Sequence, residues 1–347
     1  MHSPSPLPGP AVPPAATRIV AALTDRERNL FFPRDNGIEA AGWQFLADED
    51  LARSNWAELV EQLRPTVLVT GWSTPALPEA WLRREDCPLR MVCHVTGSVR
   101  RLVPRVFLER GGVVTNWGET VSPQVAEHGL LLALAALRNA AQWRNFIART
   151  ASVRHIEELG TRTLFGRRVG LHGFGSVARA LVPLLKPFGV SLTAYSAGVP
   201  TDVLRSLDVT PATSLEALFA GSDVLFECEA LTPATELSVT AGLLAQLPDD
   251  AVFVNIGRGR LVDEAALHRE AVTGRVRLAL DVVAHEPLTM GSPFAGLPGV
   301  VLSPHIAGPT GDRYGECGTF ALENLRSFLR GVNPAAAISL ATYDRAT

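Results

Sequence analysis

The run Val169-Gly170-Leu171-His172-Gly173-Phe174-Gly175-Ser176-Val177-Ala178-Arg179 constrains this chain more than any other. A short apolar segment leads into two glycines one residue apart, and an amphipathic stretch follows from Val177 to Leu185. The pattern predicts strand, tight turn and helix. Gly173 permits the sharp turn, and Gly175 lets the backbone approach a bulky group. Ala178 allows the helix to pack close on the strand. A helix entered this way presents unpaired N–H groups and a partial positive charge, which suits a pyrophosphate. Taken alone, the pattern also fits a plain strand-to-helix turn.

Bulk properties narrow the setting. At 347 residues, two domains are expected. Hydrophobic residues at 47% and charged residues at 19% describe a globular protein with an ample core. The net charge of -3 points to neither nucleic acid nor an anionic membrane as partner. Arginine supplies nearly all the positive charge, scattered along the chain, and Lys186 is the only lysine. Cys87, Cys93, Cys228 and Cys317 form no C-x-x-C pair. No metal site is expected, and so large a chain needs no disulfide staples, so a reducing cytoplasm is the expected compartment. No apolar run reaches membrane-spanning length. Residues 1–17 are rich in Pro, Ala and Ser without a positive segment and apolar core, and read as a disordered tail, not a secretory signal.

From Arg18 to Gly112 the texture is short α/β. Strands are expected at Ile19–Leu23, Thr66–Thr70, Leu89–Val95 and Gly112–Asn116. A helix capped by Asn55 should run to Leu63, and another from Val99 to Glu109 with a kink at Pro104. Ser122 and Pro123 open a long helix whose body runs from Gly129 to Ile147, apolar on more than one face. Such a helix bridges domains or joins a subunit interface. After Gly166, six strands are expected: the one ahead of Gly173, Val190–Tyr195, Asp223–Phe226, Ala251–Asn255, Val276–Asp281 and Val300–Leu302. Ser214 should cap a helix from Leu215 to Ala220, Asp263–Val272 should be helical, and a last helix should run from about Thr310 to Arg330. Strands alternating with helices predict parallel sheets.

Ligands of open α/β sheets bind beyond the carboxyl ends of the strands. Three expected strand ends there lead into Ile256-Gly257-Arg258-Gly259-Arg260, Val282-Val283-Ala284-His285-Glu286-Pro287 and Ser303-Pro304-His305-Ile306-Ala307-Gly308. Arg258, Glu286 and His305 thus fall on the edge that carries the glycine turn. An arginine can hold a carboxylate by two parallel hydrogen bonds. A carboxylate beside an imidazole orients the ring and favours its protonated form, which makes a proton donor. Singly, Arg258 fits a surface ion-pair partner, Glu286 a loop residue and His305 a structural histidine. Their appearance together argues for a site that transfers hydride and proton.

The ordered motifs Gly173-x-Gly175-x-x-Ala178, Leu231-Thr232-Pro233-Ala234-Thr235, Asn255-Ile256-Gly257-Arg258-Gly259, Asp281 ahead of Glu286-Pro287, and Ser303-Pro304-His305-Ile306-Ala307-Gly308 resemble the D-isomer-specific 2-hydroxyacid dehydrogenases. Val125-Ala126-Glu127-His128 is similar to that family too, and the likeness runs from about residue 65 to 325. It implies two doubly wound parallel-sheet α/β domains. A Rossmann cofactor domain would span 121–308, and a flavodoxin-like, discontinuous substrate domain 18–120 with 309–347. It implies that Arg258 binds the substrate carboxylate, that His305 paired with Glu286 is the general acid/base, and that Asp281 contacts the nicotinamide substituent. Gly173, Phe174, Gly175, Ser176, Val177, Ser196, Thr232, Ile256, Gly257 and Gly308 would complete the cofactor site. Substrate-carboxylate amides would lie at Gly97 and Ser98; of Arg100 and Arg101, which follow, one would read a second anionic group, Arg100 being the candidate, or both would simply be solvated.

The family's usual Asp after the second cofactor-domain strand is replaced by Ser196, which does not repel a 2′-phosphate. The cofactor is therefore NAD or NADP, with the family habit favouring NAD. Cys228-Glu229-Ala230 stands where the family often has His-x-Pro, and His172 is unusual inside the fingerprint strand, where a core or turn role is expected. Glu127 and His128 are expected to serve helix and interface packing, and Cys228 to be a buried small residue. The implied activity is interconversion of a small anionic 2-oxo acid and a D-2-hydroxy acid by a homodimer. Two alternatives stand: oxidation of phosphite or reduction of a phosphorylated keto acid on the same site, and a dinucleotide-sensing, corepressor-like protein without turnover.

Overall fold

A computed structural model describes residues 17–33, 42–52, 55–149, 153–289 and 291–345. The expected tail thus lies, but for Thr17, outside the described residues. The chain forms two compact units, one running to Val121 and resuming at Gly311, the other from Ser122 to Thr310.

The first unit is built on β1 (Ile19–Ala22), β2 (Gln44–Phe45), β3 (Val67–Thr70), β4 (Met91–His94) and β5 (Val113–Thr115). All pairs are parallel, in the order β2-β1-β3-β4-β5. That is the flavodoxin-like winding, with the order reversing between β1 and β3. Burial on both faces explains why β1, β3 and β4 read as unbroken apolar runs. The helix Tyr314–Leu329 comes so close to the helix Asp25–Phe31 that a methyl at Gly318 would sit 1.8 Å from the Phe31 carbonyl oxygen.

The second unit carries β6 (Arg168–His172), β7 (Ser191–Tyr195), β8 (Thr210–Pro211), β9 (Val224–Glu227), β10 (Val252–Asn255), β11 (Arg277–Leu280) and β12 (Val300–Leu302). They lie in the order β12-β11-β10-β9-β6-β7-β8, all parallel. This is the doubly wound Rossmann order with one further strand, and its switch point falls between β6 and β9. Side chains alternate between two cores. Val224, Phe226, Val252, Val254 and Ala279 pack under the helices Ser122–Leu137 and Ser176–Leu185. Leu225, Phe253, Leu278 and Leu280 pack on the other face with Phe219, Leu244 and Leu267.

Several local expectations are corrected. The helix from Ser122 ends at Leu137, not Ile147, because Asn139 takes a left-handed φ of 53°; a 3-10 turn and a second helix, Trp143–Arg149, follow. Pro104 kinks nothing: its extended backbone starts the short helix Arg105–Glu109, and residues 99–103 are not α-helical. Asn55 precedes its helix without a side-chain capping bond. The second sheet has seven strands, not six, because two-residue β8 ends in a proline and carries no apolar run. Ser214 and Asp263 cap their helices through Ala217 N and Ala266 N.

Candidate active site

The glycine turn sits at the carboxyl end of β6, at the switch point. Gly173 has a φ of +83°, and a methyl there would lie 2.6 Å from the Glu229 backbone nitrogen, so the turn and the segment after β9 interlock backbone to backbone. Gly175 is the N-cap of the ten-residue helix Ser176–Leu185. That helix has no side-chain cap and no acidic residue in its first turn, and a methyl at Gly175 would meet only open space. Free N–H groups, a positive helix end and room above it fit a dinucleotide pyrophosphate. Phe174 is buried as a core member, while Ser176 and Val177 are half-buried in the first helical turn. Ser196 follows β7 half-buried. In the turn after β9, Thr232 N donates to Thr235 Oγ1 (2.7 Å), and Thr235 Oγ1 donates to Ala230 O (2.6 Å).

Beyond β10, the buried Asn255 shapes the next loop: its Oδ1 accepts from Gly257 N (3.1 Å) and its Nδ2 donates to Arg258 O (3.1 Å). Gly257 lies where a methyl would come 3.1 Å from Glu229 O, and Ile256 is buried against Gly129 of the Ser122–Leu137 helix. Arg258 is half-buried, and its Nη1 donates to Gly257 O (2.7 Å). The next residue ties this loop to the one after β11. A methyl at Gly259 would lie 1.9 Å from the Val283 carbonyl carbon, so the chain right after Arg258 rests directly on the segment that leads to Glu286.

Glu286 and His305 meet: Oε2 of Glu286 is 2.7 Å from Nδ1 of His305. The imidazole is therefore held by one nitrogen, and Nε2 is left for a ligand. A cavity of about 300 Å³ opens here, lined by Asp281, Val283, Glu286, Pro287, Leu288, Pro304 and His305. His305 itself has a left-handed φ of 54°. Its backbone N–H donates to Asp281 O (2.9 Å).

Asp281, expected against the nicotinamide, lines this cavity while only 3% exposed, and its carboxylate also accepts from its own chain. Oδ1 accepts from Ser303 Oγ (2.6 Å) and Ile306 N (2.9 Å), and Oδ2 from Ala307 N (3.0 Å). Burial would raise its pKa, but hydrogen bonds from His128, Ser303 and these two amides outweigh burial and hold it below the ordinary carboxylate value. Gly308 follows this loop, half-buried.

Three contacts here escaped sequence reasoning. His128 Nε2 lies 2.8 Å from Ser303 Oγ, a contact across 175 residues that no local pattern signals. Glu264 accepts from Ala284 N (2.5 Å) and so braces the loop ahead of Glu286. Under the glycine turn, buried His172 Nδ1 lies 2.6 Å from buried Glu227 Oε2, and Glu227 Oε1 accepts from Glu229 N (2.9 Å). The core role expected of His172 holds, and its unusual placing in the fingerprint was the one available signal for the pair.

In the first unit, Gly97 has its ring neighbour Trp117 where a methyl would lie at 2.6 Å, and its carbonyl accepts from Asn116 Nδ2 (2.7 Å). Ser98 is exposed. Buried His94, between Thr70 Oγ1 (2.9 Å) and Thr96 Oγ1 (2.5 Å), supports this turn, and burial pushes its pKa down to about 4. The Arg100 guanidinium lies 5.9 Å above the Tyr343 ring, a cation–π arrangement. Among the described residues no cluster of His, Cys, Asp and Glu could hold a metal, and no helix is long and apolar enough to cross a membrane.

Comparison with known proteins bears on the family and the fold. The family profile described as D-isomer specific 2-hydroxyacid dehydrogenase, NAD binding domain, matches residues 130–307. The D-3-phosphoglycerate dehydrogenase of Methanocaldococcus jannaschii is 29% identical over 280 residues, which is 79% of this chain and 52% of that protein. The glyoxylate/hydroxypyruvate reductase HPR3 of Arabidopsis thaliana is 31% identical over 221 residues, covering 63% of this chain and 67% of that protein. The crystal structure of a Treponema pallidum D-lactate dehydrogenase superposes with a TM-score of 0.73 at 21% identity, covering 93% of this chain and all of that one, and speaks to the fold alone. The chain spans about half the length of the phosphoglycerate dehydrogenase it matches. With the matched profile covering half of its residues, the chain belongs to the D-isomer specific 2-hydroxyacid dehydrogenase family.

Proposed function

We propose that the protein interconverts a small anionic 2-oxo acid and the D-2-hydroxy acid, using NAD or NADP. The observation that carries this reading is the 2.7 Å Glu286–His305 pair at the mouth of a cavity, next to the loop that presents Arg258. The fit of the glycine turn to a pyrophosphate supplies the second half of the site. When bound, the nicotinamide dinucleotide supplies the hydride that reduces C2 of the 2-oxo acid. Arg258 holds the substrate carboxylate by two parallel hydrogen bonds and fixes C2 in place. Nε2 of His305 gives its proton to the C2 oxygen as negative charge develops there. Glu286, on Nδ1, fixes the ring and stabilises its charged form. In the oxidative direction the same nitrogen takes the hydroxyl proton.

Ser196 presents no carboxylate to a ribose, so NADP remains acceptable, with NAD favoured by the family. The exposed apolar side chains Leu131, Trp143, Ile147 and Phe165 of the second unit support assembly as a homodimer. The four unpaired cysteines suit the cytoplasm.

The decisive assay follows NADH and NADPH absorbance across glyoxylate, hydroxypyruvate, phenylpyruvate and phosphorylated 2-oxo acids. His305→Gln should keep dinucleotide binding and lose about a hundredfold or more in turnover. Dinucleotide binding without turnover on any acid would favour a sensing role instead, and unchanged turnover in the variant would refute the assignment of His305.

A further inference from the structure

We propose that His128 is a positioning residue for the acid–base loop, acting through Ser303 and Asp281 to hold His305. It rests on the reading of His305 given above. A left-handed backbone at a residue other than glycine costs about 1–3 kcal/mol and persists only where surrounding contacts enforce it. Besides the Glu286 bond to the ring, three backbone N–H groups of this loop are held by Asp281: His305 N by its carbonyl (2.9 Å), Ile306 N by Oδ1 (2.9 Å) and Ala307 N by Oδ2 (3.0 Å).

The Asp281 carboxylate must itself be oriented. Ser303 Oγ donates its one proton to Oδ1 at 2.6 Å, so the same oxygen can only accept from His128 Nε2 at 2.8 Å. The hydrogen-bond direction thus assigns the proton of His128 to Nε2, which also lies 3.4 Å from Oδ1. His128 projects from the helix Ser122–Leu137, which packs on β10, β11 and β12. A donor on a rigid helix therefore fixes a hydroxyl, the hydroxyl a carboxylate, and the carboxylate two loop amides flanking the imidazole. This assigns His128 a task beyond the helix and interface packing expected of it.

The test uses the full chain with His128→Leu, His128→Gln and Ser303→Ala. Hydrogen exchange at the Ile306 and Ala307 amides is measured without cofactor or substrate, beside kcat, KM and the dinucleotide Kd. His128→Leu should speed exchange of both amides about tenfold and lower kcat by a similar factor, with Kd within twofold. Gln places an N–H where the imidazole Nε2 stood, and should restore both. Ser303→Ala cuts the relay with a smaller change of volume and should repeat the exchange signature, which covers the case of a misfolded Leu variant. Unchanged exchange in both disrupting variants, failure of Gln to restore, or an effect confined to KM and Kd would overturn the proposal. Full turnover in His305→Gln would instead sink the functional reading, and would leave the exchange result standing by itself.

Discussion

Replacing Gly259 by Ala should separate the two loops of the site without touching a reacting group. A methyl built at Gly259 lies 1.9 Å from the Val283 carbonyl carbon, 2.1 Å from its oxygen and 2.4 Å from Ala284 N. These are backbone atoms with no flexible end to swing aside. Real Cβ contacts essentially never fall under 3.0 Å, so relief requires the loops to part by about 1.1 Å. One loop presents Arg258 and the other leads to Glu286, which holds His305 at 2.7 Å. A displacement of about 1 Å between groups that bracket a reacting carbon costs about a hundredfold in rate, or about 2.7 kcal/mol of transition-state stabilisation.

The assay is kcat/KM on the best 2-oxo acid, with dinucleotide Kd and thermal unfolding measured on the same samples. Kd should change far less than kcat/KM, because the pyrophosphate turn at Gly173–Gly175 lies at a different strand end, although Ile256 and Gly257 share the displaced loop. Gly242→Ala is the control, since its nearest neighbour, Thr240 Oγ1, would be at an ordinary 3.7 Å. If the loss arises through Arg258, adding Gly259→Ala to Arg258→Leu should cost little more than Arg258→Leu alone. A Gly259→Ala enzyme that folds normally and works within threefold of the parent would refute the reasoning, as would full additivity with Arg258→Leu.

Three further outcomes follow from buried contacts. Glu227→Leu leaves His172 buried without its partner and should cost about 3–5 kcal/mol in denaturant unfolding, whereas His172→Leu with Glu227→Leu should recover most of that. Burial alone would lower the His172 pKa, but the Glu227 charge and hydrogen bond, with Glu229 beyond, raise it above 6.5. The stabilisation from this pair is thus fully present below about pH 6.5 and fades as pH rises through the folded-state value, a trend the double variant should lack. Asp281→Asn sets an amide donor against loop N–H groups and should cost about 2–3 kcal/mol together with turnover; since the folded Asp281 pKa is below 3.8, its contribution holds above that pH and is lost as pH falls through the folded value. Gly318→Ala should destabilise the first unit by about 3 kcal/mol, read by thermal unfolding, because its methyl would fall 1.8 Å from Phe31 O.

The parts of this fold legible in the sequence are those that a strand buried on both faces writes as an apolar run. Val224–Glu227, Val252–Asn255 and Arg277–Leu280 announce themselves that way, and their carboxyl ends locate Arg258 and Glu286. Gln44–Phe45 and Thr210–Pro211 do not, because two residues carry no period. The helix break after Leu137 is hidden as well: apolar residues continue past it, and only the backbone of Asn139 turns the chain.

The site divides along the same line. Residues that follow a strand end can be placed from pattern alone, whereas a hydrogen bond between a helix and a distant loop cannot. Asp281 makes the difference concrete. Its position after β11 invites a role against a ligand and it lines the cavity, but pattern alone gives no sign that its carboxylate also accepts from Ser303, Ile306 and Ala307. A buried anion with that many donors is stable where it is and expensive to turn outward. On the proposed relay, such an anchor holds the left-handed His305 backbone. On the relay proposed above, the carboxylate expected beside a nicotinamide also keeps the imidazole facing the cavity.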